Sequence, residues 1–417
     1  MLARLRGVGA SCPPPAPSPP APAARRGGLH RLELVHEALE RAQRVVAAYD
    51  EELARELPAG AAIFDAHVHL GHDIDGFRGI YEDLIAGLDK YGIEGCFMFC
   101  MDEHDRHPAF RAPNDRSLEY ARRSGGRLLP FVRLDLAENP IEEATRCLDA
   151  GARGIKLHPR AQRFMCDDER LRPVFALAAE RRVPILIHGG RGLPPIAAEL
   201  ARLTDAYPDA SLIIAHAGIA DLAGLAARFQ GKPGVFFDTS VWSAVDLLDL
   251  FRLISPEQIV YASDYPYGQQ PASLLIALRT AKASGLDDAD LRNMLAGSAR
   301  RIAGGQDPLP PSPPKGAETF VQPLVLARIH QYLSMATSLL WARQPDTIGL
   351  LGLALNACEE RNGTAPELDR IRELIATARD VWRTMPELED ERELRQLTRS
   401  TFRLIHLADI WAVTSRA

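Results

Sequence analysis

The fold of this chain follows from the stretch Ile63-Phe64-Asp65-Ala66-His67-Val68-His69-Leu70, an apolar segment that carries two histidines one residue apart. Alternate side chains of a β-strand share a face, so His67 and His69 point the same way. Two imidazoles about 6 to 7 Å apart along one strand can bind a single divalent ion. A His-x-His pair alone is a weak signal for a metal, so the other ligands must come from later in the chain.

The composition is that of an ordinary globular protein. The 417 residues are 46% hydrophobic and 25% charged, enough chain for one large domain and a smaller one. A formal net charge of -6 gives no argument for binding nucleic acid or an anionic membrane. Six cysteines without a Cys-x-x-Cys pair indicate reduced thiols in a cytoplasmic protein, and no apolar run is long enough to span a bilayer. We therefore expect a small-molecule substrate, and neither nucleic acid nor membrane as a partner.

The residues before the His-x-His stretch divide into two segments. Residues 1–29 are rich in proline and alanine, and the prolines interrupt every candidate apolar core of a signal peptide. We expect a disordered tail there, or a start site placed too far upstream. Residues 30–60 show the apolar spacing of a charged amphipathic helix, which Pro58-Ala59-Gly60 ends.

A regular alternation of strands and helices follows the His-x-His stretch. Strand-like runs lie at 94–101, 127–134, 152–158, 183–188, 211–216, 234–238 and 258–263. Helical patterns separate them, which gives eight β-α units in about 250 residues. This pattern predicts an α/β protein with a (β/α)8 barrel over residues 61–304. A doubly wound open sheet is the alternative, and the lack of a Gly-x-Gly-x-x-Gly turn argues against it.

A second domain is expected after the barrel. Residues 305–316 form a proline-rich linker, and four helical patterns follow within residues 317–417. They predict an all-helical bundle that packs beside the barrel or mediates homo-oligomer formation. Its histidines, His330 and His406, are interpreted as ordinary helix residues.

Polar residues end most of the predicted strands, where a (β/α)8 barrel places its catalytic groups. They are His67 and His69 (first strand), Arg133 (third), Lys156 and His158 (fourth), His188 (fifth), His216 (sixth) and Asp264 (eighth). Each alone is typical of a hydrogen-bonded rim residue or a helix cap, but together they predict a metal site. The acids of 71–76, with His72, the residues 102–104 and Asp238 also follow strands. We interpret them as solvated turns, and contact with a substrate is the alternative.

At this point the chain resembles the amidohydrolase superfamily, in its amidohydrolase-related (amidohydrolase 2) branch of metal-dependent TIM-barrel hydrolases. The resemblance covers residues 61–304. It rests on Asp65-Ala66-His67-Val68-His69, Gly154-Ile155-Lys156-Leu157-His158-Pro159, Ile187-His188-Gly189-Gly190, Ala215-His216-Ala217-Gly218, Ser263-Asp264-Tyr265-Pro266 and a closing element, 294–301, with Ser298 in place of Asn. These motifs are specific for the superfamily and not for a substrate.

The resemblance implies that His67, His69, His188 and Asp264 bind a divalent metal, for which Zn²⁺ fits the ligand types best. His216 then lies beside the metal as a proton-transfer group or a ligand of a second ion. Lys156 leaves two alternatives open, because a carboxylated lysine at this position bridges two metals in binuclear relatives. One ion is favoured, and two remain the alternative.

The implied mechanism is hydrolysis. A bound Zn²⁺ lowers the pKa of its water from about 16 to about 7, and Asp264 moves the proton to the leaving group while His216 helps to stabilise the oxyanion. Arg133 and His158 are the predicted substrate contacts. Together with Lys156, Arg133 makes the mouth cationic and predicts an anionic substrate. An ion pair with Asp135 or with a loop acid is the alternative for Arg133.

Three functions are therefore candidates for this chain. The first is a metal-dependent hydrolase of an amide, lactone or ester-type bond in a small anionic molecule. The second is a metal-dependent non-oxidative decarboxylase of a small carboxylic acid, against which we count the lack of an evident stacking aromatic residue at the mouth. The third is a non-catalytic metal-binding assembly protein.

Overall fold

The computed structural model describes residues 24–316, 321–360, 365–388 and 390–415, and one sheet organises them. Its strands are β1 Ile63–His72, β2 Arg78–Gly79, β3 Ile93–Cys100, β4 Leu128–Arg133, β5 Gly154–Leu157, β6 Ile185–Ile187, β7 Leu212–Ile214, β8 Val235–Asp238 and β9 Ile259–Val260. β1 and β3 to β9 pair in parallel in chain order, and β2 adds an antiparallel pair at the end of β1.

Backbone hydrogen bonds close this sheet into a barrel between β9 and β1. The amide of Ala66 donates to the carbonyl of Tyr261 at 2.9 Å, and the amide of His69 donates to the carbonyl of Tyr265 at 2.7 Å. Between them, the amide of Asp264 donates to the carbonyl of His67 at 2.9 Å. The closing seam therefore joins the His-x-His strand directly to the segment that carries Asp264.

Helices cover the outside of the barrel, as a (β/α)8 fold requires. They are α2 Tyr81–Lys90, α3 Arg111–Arg123, α4 Pro140–Asp149, α5 Pro159–Gln162, α6 Leu171–Arg181, α7 Ala197–Ala206, α8 Leu222–Phe229, α9 Ala244–Leu253, α10 Gln270–Ala283, α11 Asp288–Arg292 and α12 Ser298–Ala303; α1, Ala24–Glu56, precedes the barrel. The predicted (β/α)8 barrel is confirmed, and the open-sheet alternative is wrong.

The barrel has a separate aromatic interior. Phe64, Phe97, Phe99 and Phe131 fill it with Leu186, Ile213, Phe236 and Val260, and Ala299 and Ile302 of α12 cover one end. The other face of each strand packs against the helices. Because the interior is filled with side chains, the open space for chemistry lies at the carboxyl ends of the strands.

The C-terminal region is helical, with α13 Leu324–Trp341, α14 Thr347–Cys358, α15 Ala365–Arg383 and α16 Glu391–Thr414. Its core, centred on the fully buried Trp382, is continuous with the apolar layer outside the barrel. Arg279 of α10 crosses this boundary, since it pairs with Glu56 of α1 at 2.8 Å and lies 3.6 Å from the ring centroid of Trp411. In the described part of the chain, no helix combines the length and the apolarity needed to cross a bilayer.

Two segments outside the regular elements relate to the predicted boundaries. Residues 1–23 of the predicted tail lie outside the described residues. Helix α1 begins at Ala24, two residues after Pro22 and inside the segment predicted as a tail. The proline-rich segment 305–316 lies against the barrel, where the hydroxyl of Ser312 donates to Glu257 at 2.9 Å.

The helical domain contains one ion pair that should make its stability depend on pH. His330 Nδ1 lies 2.6 Å from Asp409 Oδ1, and this hydrogen bond raises the pKa of His330. The stabilisation is complete below the unfolded-state pKa of about 6.5 and is lost as pH rises through the higher folded-state pKa. We expect His330→Ala to lower the free energy of unfolding by about 1 kcal/mol at low pH, and less at high pH.

Urea unfolding between about pH 5.5 and about pH 9 measures this difference. His36→Ala, on the exposed face of α1, is the matched control. A cost for His330→Ala that stays the same over the whole range would mean that packing, and not charge, links these helices.

Candidate metal centre and active site

His67, His69 and Asp264 meet at the carboxyl end of the barrel. β1 presents both histidines inward, and Asp264 follows β9 at the closing seam. The two Nε2 atoms lie 3.2 Å apart, and Asp264 Oδ1 lies 3.2 Å from His67 Nε2 and 3.3 Å from His69 Nε2. The histidines are buried, whereas the Asp264 side chain is 13% exposed toward the cavity.

This spacing fits a tetrahedral metal ion. Bonds of about 2.0 to 2.1 Å at tetrahedral angles separate the ligand atoms by about 3.3 to 3.4 Å, close to the three distances observed. Burial, with Lys156 and neighbouring imidazoles, holds the pKa of His67 and His69 well below the ordinary value, so both are neutral as metal ligands must be. The three side chains therefore provide the donor atoms and the spacing that a divalent cation needs, and the two histidines provide neutral nitrogens. Burial raises the pKa of Asp264 well above its ordinary value, and a cation beside the carboxyl group would oppose that shift.

Asp238 orients His67 from behind. Its Oδ2 lies 2.7 Å from His67 Nδ1, and its side chain is fully buried. A proton on Nδ1 leaves the Nε2 lone pair of His67 directed at His69 and Asp264. This arrangement is typical of metal-binding histidines, and we call His67, His69 and Asp264 the cluster. The interpretation of Asp238 as part of a solvated turn is therefore wrong, because β8 ends inside the barrel mouth and its last side chain points at His67.

The same carboxylate also holds His216. Asp238 Oδ1 accepts from the amide of His216 at 2.7 Å and from the hydroxyl of Ser240 at 2.6 Å. His216 Nδ1 lies 2.9 Å from the carbonyl of Ser240. These contacts occupy Nδ1 and leave Nε2 as the nitrogen that His216 can offer to the cavity, and burial lowers the pKa of this imidazole.

Asp264 and His216 both adopt the left-handed backbone conformation, with φ of 58° and 57°. Non-glycine residues there cost of order 1 kcal/mol and concentrate at functional sites. The bond from the Asp264 amide to His67 helps to hold this geometry, and Gly268 lets the chain fold back, since a Cβ at that position would lie 2.0 Å from the carbonyl oxygen of Ser263.

His188 and His158 form the next part of the cavity wall. Their rings stack with centroids 3.9 Å apart, and His188 lies 4.7 Å from the ring of His216. His188 is outside the group of ligand atoms that lie within 4.8 Å of one another, which comprises His67, His69 and Asp264. The role of His188 as a fourth ligand stays a prediction, as does substrate contact by His158.

Lys156 is buried beneath the cluster, with Nζ 3.3 Å from His67 Nε2 and 4.5 Å from the ring centroid of Phe99. Burial lowers the pKa of Lys156 to about 7, against the opposing effect of Asp264 and Asp238. Its contact with the cluster keeps both alternatives open, a cationic side chain or a carboxylated second-metal ligand.

A cavity of about 710 Å³ opens above these residues; its lining includes five aspartates, and one part of its wall is cationic. Arg133 is 2% exposed, donates to the carbonyl of Cys100 at 3.3 Å and lies over the ring of Phe110. Within the described residues, no carboxylate lies in ion-pair distance of Arg133, so the alternative pair with Asp135 is not formed. Arg160 and Arg163 also line the cavity, which suits an anionic ligand.

The rim differs from the sequence expectation in its acids and aromatic residues. Asp73, Asp102 and Glu103 are buried rather than solvated; Asp73, for example, accepts a hydrogen bond from the hydroxyl of Tyr267. Tyr267 and Trp242 line the cavity, so the expectation of a mouth without aromatic residues is wrong. Tyr267 lies three residues after Asp264, and that proximity was the signal that could have found it.

Comparison with known families agrees with this geometry. Residues 64–304, more than half of the chain, match the model of a family described as amidohydrolase. The resemblance inferred from the motifs is thereby confirmed. A search of curated proteins finds no match to this chain.

Several solved structures are similar to the barrel. One is 2,6-dihydroxybenzoate decarboxylase from Rhizobium, at 18% identity over 59% of this chain and 98% of that chain, TM-score 0.45. Another is a probable 2-pyrone-4,6-dicarboxylic acid hydrolase from Acinetobacter baumannii, at 14% over 58% and 99%, TM-score 0.46. A dihydroxybenzoic acid decarboxylase from a Polaromonas species with bound manganese gives 16% over 58% and 97%, TM-score 0.46.

Proposed function

This chain belongs to the amidohydrolase family, and we propose that it is a metal-dependent hydrolase of an amide, lactone or ester-type bond in a small anionic molecule. The observation that carries the proposal is the set of His67, His69 and Asp264 at metal-ligand spacing on the floor of an open cavity with a cationic wall. A divalent ion at such a site supplies Lewis acidity and acidifies water. Zinc is our proposed metal, because two imidazoles and a carboxylate suit it, and His188 is the proposed fourth ligand.

The residues around the cluster have separate proposed roles. Asp264 is the acid that is both at the cluster and open to the cavity, so it accepts a proton from the attacking water and returns it to the leaving group. His216 offers Nε2 to the oxygen on which negative charge develops. Arg133, which has no carboxylate partner within the described residues, binds the substrate anion.

Metal content is the first test. We expect the purified chain, stripped with a chelator and reloaded with zinc or manganese, to retain about one ion per chain. The double variant His67→Ala/His69→Ala is the matched control and should retain none. Two ions per chain, with one lost in Lys156→Met, would instead favour the binuclear alternative. No retained ion in the parent chain would contradict the proposal.

A decarboxylase is the second candidate, and Tyr267 and Trp242 favour it because an aryl acid could pack against them. The two reactions differ in what they consume and release. With a panel of carboxylated lactones, esters and amides beside hydroxybenzoates, hydrolysis in ¹⁸O-labelled water should add one labelled oxygen to the product. Decarboxylation should release CO2 and leave the organic product without the label. Bound metal with neither outcome would leave the non-catalytic assembly protein as the third candidate.

The cysteines support the proposed cytoplasmic compartment. The five described cysteines, Cys96, Cys100, Cys147, Cys166 and Cys358, are buried and unpaired. Unpaired thiols persist in a reducing environment.

A further inference from the structure

The loop of residues 239–243, here called the Ser240 loop, joins β8 to α9 and forms one wall of the cavity. On its inner side the carbonyl of Ser240 lies 2.9 Å from His216 Nδ1, and the amide of Ser240 donates to Asp238 Oδ1 at 3.0 Å. Val241 and Trp242 line the same cavity. The conformation of this loop therefore sets both the position of His216 and the shape that a substrate meets.

The outer side of the Ser240 loop rests on α16 of the C-terminal helical domain. His406 Nε2 donates to the carbonyl of Trp242 at 2.8 Å. The indole of Trp242 lies 5.6 Å from the ring of Phe402, centroid to centroid. Phe402 is itself held between His406, on which it stacks at 5.5 Å, and Trp341 of α13 at 5.2 Å. A hydrogen bond and a ring contact thus join the helical domain to the cavity wall.

We infer that Phe402 and His406 are positioning residues of the active site, which hold Trp242 from outside and thereby keep Ser240 against His216. The helical domain is then a structural part of the catalytic centre and not an appended module. The inference rests on the cavity being the active site, but it holds whether the reaction there is hydrolysis or decarboxylation.

The far end of the Ser240 loop has its own support, which confines the expected disturbance. Ser243 caps α9 by accepting from the amide of Asp246 at 3.3 Å. The carboxylate of Asp246 also pairs with Arg191 at 2.8 Å. Loss of the α16 contacts should therefore free residues 239–242 without detaching α9 from the barrel.

Hydrogen exchange in the full-length chain tests the inference without any substrate. In His406→Ala and Phe402→Ala, we expect the amides of Ser240 and His216 to exchange about ten-fold faster, because one hydrogen bond or ring contact no longer opposes loop opening. Peptides from β1 and α10 should be unchanged. His406→Gln retains an N–H donor of similar reach and should restore slow exchange, which a general loss of packing would not allow.

His330→Ala is the matched control, because it removes another histidine contact of α16, the one with Asp409, and leaves the contacts of His406 and Phe402 with Trp242 in place. The inference is overturned if the amides of Ser240 and His216 in both alanine variants exchange within about two-fold of the parent rate. It is also overturned if His330→Ala accelerates exchange at these amides equally. If the alanine variants fail to fold, His406→Gln and His406→Asn decide the matter. The shorter Asn amide cannot reach the Trp242 carbonyl. Equal exchange rates of the Ser240 amide in His406→Gln and His406→Asn would therefore also overturn the inference.

Discussion

Asp264→Asn should lower turnover by about 10²- to 10⁴-fold, the loss typical of a missing general base. The amide has almost the same shape as the carboxylate, but it carries no negative charge and cannot accept a proton from water. The change also weakens a proposed metal ligand, whose Oδ1 lies 3.2 Å and 3.3 Å from the two histidine nitrogens, so metal affinity should fall as well. The measurements are steady-state kinetics on the substrate that the panel identifies and competition with a metal chelator.

Asp246→Asn is the matched control for this change, because Asp246 lines the same cavity but pairs with Arg191 at the rim. It should retain metal affinity and change turnover by less than about ten-fold. Equal losses in the two variants would show that the negative potential of the cavity matters rather than the position of Asp264. Full activity of Asp264→Asn would contradict the proposed role of Asp264.

Asp238→Asn should weaken metal binding by about 10- to 100-fold although Asp238 does not itself contact the proposed ion. The Asp238 side chain accepts four hydrogen bonds on its two oxygens, from His67, from the His216 amide, and from the amide and hydroxyl of Ser240. Asparagine keeps an acceptor oxygen at only one of the two carboxylate oxygen positions. If the amide nitrogen faces His67 Nδ1, the proton moves to Nε2, and the nitrogen that should bind metal loses its lone pair.

The affinity follows from chelator competition, and ¹⁵N chemical shifts of the His67 ring report the tautomer directly. Ser240→Ala is the control, since it removes one donor to Asp238 while the contact with His67 remains. Its metal affinity should stay within about two- to three-fold of the parent. An Asp238→Asn protein that binds zinc as tightly as Ser240→Ala would show that Asp238 does not orient His67.

The barrel and the convergence of its candidate metal ligands at one mouth were predictable from the sequence for a topological reason. Short apolar runs alternating with amphipathic helices favour parallel strands buried on both faces. In a (β/α)8 barrel every strand ends at the same mouth, so residues as distant in sequence as His67 and Asp264 must converge once the strand order is known. For His67 and His69, the spacing within one strand was sufficient to predict that they lie together, because side chains two residues apart in a strand share a face.

The supporting contacts were not predictable, because they depend on side-chain direction rather than on strand position. A lone aspartate after a strand indicates a turn or a helix cap, yet Asp238 is buried against His67. The left-handed backbone of Asp264 and His216 is imposed by neighbouring segments and has no local signal. For Arg133 the sequence left an ion pair with Asp135 as the alternative to a substrate contact, and only the structure shows that Arg133 lines the cavity.

The sequence by itself thus determined the barrel and predicted the candidate metal ligands, since both follow from local periodicity and from one rule about strand ends. Only the tertiary structure decided which of those residues lie within metal-ligand distance, which carboxylate orients them, and what encloses the cavity. The contact of His406 with Trp242 illustrates the physical reason. The two residues lie in the helical domain and in the barrel, and only the packing of α16 on the barrel brings them together.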